Sequence, residues 1–126
     1  MKTRGKTAWS LGRSAERRAE RLLRRAGLRC LARNWRCRGG ELDLVMADGE
    51  TVVFVEVRRR SGNSHGDAAA SVGPGKQRRI VHAALYYLQT LEATPECRFD
   101  LVTLDGAPGE EVLRWIPAAF DASGMI

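Results

Sequence analysis

Two apolar stretches of this chain hold carboxylates where carboxylates are costly. The first is Glu41-Leu42-Asp43-Leu44-Val45, the second Val52-Val53-Phe54-Val55-Glu56-Val57-Arg58. Both read as strands: residues 41–47 alternate strongly, and residues 51–58 are β-branched and nearly all apolar. Asp48-Gly49 between them is a strong hairpin signal. With those two residues as the loop, Ala47 faces Glu50, Asp43 faces Phe54 and Glu41 faces Glu56. Asp43 and Glu56 are then diagonal neighbours on one sheet face, roughly 7 Å apart at the backbone. Arg58 follows Glu56 on that face, because side chains repeat with period two. Three carboxylates so placed repel one another, and burial adds to the cost. Two remedies are open. Arg58 can pair with the acids across a solvent-facing sheet, or a divalent metal can take oxygen ligands. Magnesium is typically held by one or two carboxylates, waters and a substrate phosphate.

The elements that must position these residues follow from periodicity. Residues 13–26 read as a helix with Ala15, Ala19, Leu22, Leu23 and Ala26 on one side. Arg17, Arg18, Arg21, Arg24 and Arg25 fill the other, Glu16 lies at the edge of the apolar stripe, and Gly27 is a natural stop. A weak strand covers 30–37. A second helix runs from Pro74 to about Glu92, with Ile80, Val81, Ala84, Leu85, Leu88 and Leu91 on one face. Residues 99–104 and 112–116 read as strands. The order α-β-β-β-α-β-β, with a helix between the strands at 51–58 and 99–104, requires a parallel crossover. The fold class is α/β with a mixed sheet flanked by helices. Residues 1–11 are expected to form a flexible basic tail, 12–120 one domain, and 121–126 a C-terminal tail.

Charge narrows the partners. Residues 1–79 hold 19 basic and 8 acidic side chains, net +11, whereas residues 80–126 hold 2 and 7, net −5. A field so lopsided favours a polyanion at the N-terminal side. Arginine, suited to bidentate phosphate contacts, supplies all but Lys2, Lys6 and Lys76 of these cations. No apolar run nears the roughly 20 residues a membrane-spanning helix needs. The N-terminus lacks the apolar core of a secretory signal. Cys30, Cys37 and Cys97, an odd number without CxxC spacing, read as reduced thiols of a cytoplasmic protein.

GELDLV at 40–45 followed by FVEVRRR at 54–60 resembles the pattern of the YraN-like family of bacterial proteins. Gly12 with Glu16, Asn34, His65-Gly66, Ser71-Val72, Lys76-Gln77-Arg78-Arg79 and Arg98-Phe99-Asp100 match in place. The family is placed in the restriction-endonuclease-like, PD-(D/E)XK superfamily and is similar to archaeal Holliday-junction resolvases. The resemblance implies a restriction-endonuclease-like fold and a nuclease dependent on Mg²⁺ or Mn²⁺. Asp43 and Glu56 match its metal-binding acids, and the Val57 carbonyl completes such a metal shell. Glu16 matches a helix acid that points into the site. Lys76 and Gln77 open the helix where related nucleases place an auxiliary polar residue, with Glu41 beside the acids.

One departure stands out: the lysine expected two residues after the glutamate is Arg58, which stays protonated and cannot serve as a base. Arg58 still stabilises phosphate charge, and Lys76 is the lysine left to supply the missing role. Arg17, Arg21, Arg59, Arg60, Arg78 and Arg79 are expected to grip a nucleic-acid backbone, DNA above all. Resolvase-like relatives imply a homodimer. The alternative is a nucleic-acid-binding module without chemistry, favoured by Arg58. A protein-interaction role through the acidic C-terminal part has little support. Trp35, Trp115 and His82 read as structural; His65, after the acid-bearing strand, is within reach of phosphate.

Overall fold

The computed structural model describes residues 8–61 and 67–122, with side chains from Arg13 onward. His65 therefore lies outside the described residues. The elements are α1 (Ala8–Arg25), β1 (Arg29–Cys37), β2 (Gly40–Asp48), β3 (Thr51–Arg60), a 3₁₀ turn (Ala69–Ser71), α2 (Pro74–Leu88), β4 (Cys97–Asp105) and β5 (Val112–Phe120). The expected α-β-β-β-α-β-β order holds, with the 3₁₀ turn added. One five-stranded sheet has the spatial order β1-β2-β3-β4-β5. Pairing is antiparallel except between β3 and β4, which are parallel because α2 carries the chain across.

The boundaries differ in places. The first helix begins at Ala8, inside the segment expected to be tail, and Ala122 in the expected C-terminal tail is buried. The second helix stops at Leu88, not near Glu92, because the Thr90 hydroxyl and N–H both close on the Tyr87 carbonyl. Leu85 accordingly sits at the surface, and Ala83 and Tyr87 are buried.

Two cores sandwich the sheet. Ala19 and Leu23 of α1 pack on Leu44, Met46, Val53, Val55 and Val102. On the other face Ile80, Val81, Ala84 and Tyr87 of α2 cover Val45, Phe54, Phe99 and Leu101. Phe54 is fully buried, stacked on Phe99 at 5.4 Å and met edge-on by Tyr87 at 6.0 Å. Burying each such side chain contributes about 1.5–3 kcal/mol. Among the described residues no helix is long and apolar enough to cross a membrane. The three cysteines are free thiols.

The hairpin register corrects the expectation. Asp48 pairs with Thr51 and Leu44 with Val55, so opposite residues are shifted by two from the expected pairing. Gly49, at φ +59, opens the turn with Glu50, and Asp48 stays in the ladder, where Arg98 reaches it at 3.0 Å. A shift of two leaves every side chain on its face. It also moves Glu56 from a diagonal position to one directly across from Asp43.

The turn between β1 and β2 is docked on α2. A Cβ on Gly40 would stand 2.5 Å from the Arg79 carbonyl oxygen, so only glycine permits this approach. His82 Nε2 lies 2.9 Å from the Arg38 carbonyl oxygen and holds the same turn. Gly40→Ala is expected to cost about 1–3 kcal/mol, as overpacking against rigid backbone does. Urea denaturation checks the value. An unchanged midpoint would mean that α2 does not rest on this turn.

Candidate active site

The β2–β3 ladder ends at Leu44–Val55, and the acids sit just where the two strands part. Beyond that point β2 stays with β1, and β3 stays with β4. The Val57 N–H, left without a β2 partner, donates to Asp43 Oδ2 at 2.8 Å. Asp43 is thus fixed by the backbone it would have paired with. Glu56 is buried, and its carboxyl interacts directly with that of Asp43. Burial first, then the Asp43 charge, pushes the Glu56 carboxyl up to about 8. Burial likewise raises Asp43, and the hydrogen bonds from Glu56 and from the Val57 N–H work against that rise. Burial thus pushes both carboxyls of the pair up, and Glu56 holds its proton through neutral pH.

Glu16 approaches from α1. Burial and the Asp43 charge raise it to about 7, and the nearby polar side chain of Asn34 opposes them. Its Oε1 is buried without a partner. From α2, Lys76 Nζ reaches Glu56 Oε2 at 3.6 Å, the one cation among the described residues with an ion pair to that carboxylate. Lys76 sits in the first turn of α2, which Pro74 starts. Arg58 acts on Glu56 as a nearby positive charge. Glu41 is exposed, paired with Arg36 at 3.1 Å, and adds negative potential at both Asp43 and Glu16.

Two basic cavities flank the acids. One, ≈ 330 Å³, is lined by Arg13, Glu16, Arg17, Arg33 and Asn34 among others. The second, ≈ 470 Å³, is lined by Arg36, Glu41, Lys76 and Arg79 among others. Arg17, Arg21, Arg78 and Arg79 are exposed. Arg59 and Arg60 are engaged elsewhere: Arg59 pairs with buried Glu111, and Arg60 grips Asp105 through two bonds of 2.8 and 2.9 Å. Gln77 also turns away, donating to the Val72 carbonyl at 2.8 Å and fixing the start of α2. Trp35 packs edge-on against Tyr87, and Trp115 donates to buried Asp100. Asn34 and Gly40 are the residues to which the sequence reading assigned no role.

The profile of Uncharacterised protein family UPF0102 matches residues 15–104, a span from α1 through nearly all of β4 that takes in Glu16, Glu41, Asp43 and Glu56. The chain belongs to UPF0102. A UPF0102 protein of Cupriavidus pinatubonensis is 55% identical over 116 residues, covering 91% of this chain and 88% of that one. Relatives from Nitrosospira multiformis and Albidiferax ferrireducens are each 50% identical, covering 89% and 97% of this chain and 93% and 95% of theirs. The YraN-like resemblance of the motifs is a resemblance to this family.

The donor set of this UPF0102 site suits a hard divalent cation. All its donors are oxygens, and Asp43 and Glu56, both pushed up by burial, are carboxyls whose charge a divalent cation would offset. The orphaned Glu16 oxygen faces the same need. Among the described residues no three His, Cys, Asp or Glu side chains form a ready-made cage. Magnesium does not require one, since it keeps several waters and takes substrate oxygens.

Proposed function

We propose that this UPF0102 chain is a nuclease that hydrolyses phosphodiester bonds in DNA with Mg²⁺ or Mn²⁺, on a restriction-endonuclease-like scaffold similar to that of Holliday-junction resolvases. One observation carries the reading: half-buried Asp43 beside buried Glu56 at a parting of two strands, with a lysine 3.6 Å from the glutamate. Asp/Glu/Lys is the set that the resemblance calls for, and here α2 delivers the lysine instead of β3.

Asp43, Glu56 and the Val57 carbonyl would hold the cation, which supplies Lewis acidity toward the scissile phosphate and a bound water of lowered pKa. Lys76 orients the attacking water against Glu56 and stabilises charge that develops on the phosphoryl oxygens. Water adds to phosphorus as its proton passes to solvent or a site carboxylate, and the bond to the leaving oxygen breaks as that oxygen takes a proton from solvent to give a free hydroxyl. Arg58 contributes positive charge from β3. Arg17, Arg21, Arg78 and Arg79 contact flanking phosphates, which makes binding salt-dependent and indifferent to sequence.

Calorimetric titration of Mn²⁺ and Mg²⁺, with Asp43→Asn as control, tests the site, and branched and duplex DNA test the reaction. Wild type is expected to bind metal and cut DNA. Asp43→Asn is expected to lose both and keep salt-dependent DNA binding. Salt-dependent binding by a wild type that takes up no metal, even with DNA present, would replace this reading by a module without chemistry.

A further inference from the structure

We propose that Asn34 is the positioning residue of the acid site: its backbone turns β1 and β2 over where Asp43 leaves the ladder, and its side-chain amide holds the Glu16 carboxylate at the opening. Asn34 lies mid-strand at φ +48. Such a conformation is costly for a residue with a Cβ and persists where the surroundings impose it; asparagine tolerates it better than most.

The packing records what this turn does. In a regular strand, residues three apart face opposite sides. Ala32 and Trp35 nevertheless pack against the same core, under α2. Leu42 and Val45, across from them in β2, do so as well. Register is kept through the break, with Arg33 opposite Leu44 and Trp35 opposite Leu42, so Asn34 stands across from Asp43. Both strands change face at this one pair. The change frees the Asp43 carboxylate to reach over to the Val57 N–H and Glu56, and it points β1's only amide side chain at Glu16.

That amide matters because Glu16 has one buried oxygen with no partner. The Asn34 side chain faces the Glu16 carboxylate across one cavity and is the neutral side chain that acts on it. Both residues line the ≈ 330 Å³ cavity with Arg13 and Arg17. Glycine would satisfy the backbone and lose the donor. Aspartate would keep the backbone and put a second negative charge beside Glu16. Asparagine meets both demands. What Glu16 is held for rests on the nuclease reading; that Asn34 holds it does not.

Asn34→Gly and Asn34→Asp separate the two functions. Thermal melting reads the backbone role. Side-chain NMR reads the Glu16 rotamer from its three-bond couplings and the cross-peak between the Asn34 amide protons and Glu16. Asn34→Gly is expected to melt at or above the wild-type temperature while Glu16 averages over several rotamers. Asn34→Asp is expected to show the same averaging. In a cleavage assay both should lower kcat by roughly 10–100-fold, with KM for DNA unchanged. A single fixed Glu16 rotamer in Asn34→Gly would overturn the proposal, as would a lower melting temperature with Glu16 undisturbed. If wild type cuts no DNA, the nuclease reading falls, and the rotamer result still decides whether Asn34 positions Glu16.

Discussion

Glu56→Gln is expected to raise the melting temperature of the metal-free protein at pH 8 by roughly 5 °C and to reduce metal binding and DNA cleavage to background. The two effects have one cause. Glu56 is buried, and its carboxyl is raised to about 8 by burial and by the Asp43 charge. Glu16, raised to about 7, behaves in the same direction. Between the ordinary value of 4.5 and these folded-state values, the folded protein keeps protons that the unfolded chain has released. Stability contributed by these groups is therefore full below pH 4.5 and lost as pH rises through 7 to 8.

Glu20 and Asp105 run the other way. The hydrogen bond from Arg33 lowers Glu20, and the one from Arg60 lowers Asp105. Their stabilisation is present above the ordinary carboxylate range and is lost as pH falls through it. The melting temperature should thus peak at about pH 5 and decline toward pH 8. Glutamine in place of Glu56 keeps an N–H donor for Asp43 and removes the charge, so the decline should flatten. Mn²⁺ should restore the wild type at pH 8 and leave the variant unmoved. Melting curves from pH 4.5 to 8.5, with and without Mn²⁺, read all of this. A Glu56→Gln variant that melts lower at pH 8, or that gains stability from Mn²⁺ as wild type does, would remove Glu56 from the metal site.

The sequence made the two acids legible: Glu56 interrupts the apolar run Val52–Val57, and the alternation of residues 41–47 puts Asp43 on the face that the hairpin turns toward Glu56. Period-two reasoning survived an error in the hairpin turn, since a slip of two preserves the face. It failed at Asn34, where one left-handed residue reverses the alternation in two strands at once. The engagement of Arg59 and Arg60 was equally invisible. Their partners, Glu111 and Asp105, lie about 50 residues away: Asp105 meets Arg60 through the β3–β4 pairing, and Glu111 meets Arg59 from the turn that leads into β5. Charge patterning counts cations; it does not say which ones the fold has already used. Gly40 opens the GELDLV motif, but the reason for it, a helix carbonyl where a Cβ would be, is a tertiary one.

Lys76→Met is expected to slow DNA cleavage by roughly 10²–10⁴-fold, the range for a positioned proton-handling group, with DNA affinity and melting temperature near those of wild type. Lys76 is a third exposed, and its Nζ stands 3.6 Å from Glu56, so the charge is held at the site without being sealed in the core. Methionine keeps the length and apolar stem of the side chain. Lys76→Arg then divides two roles. Arginine supplies charge and cannot give up a proton; partial activity would assign Lys76 to phosphate stabilisation, and none would assign it to the water. The decisive variant carries Lys76→Met together with Arg58→Lys. If α2 supplies the lysine that β3 lacks, returning a lysine to β3 two residues after Glu56 should recover part of the lost rate. Full activity in Lys76→Met alone would show that this lysine serves only to offset Glu56, and Arg58 would become the group that meets the phosphate.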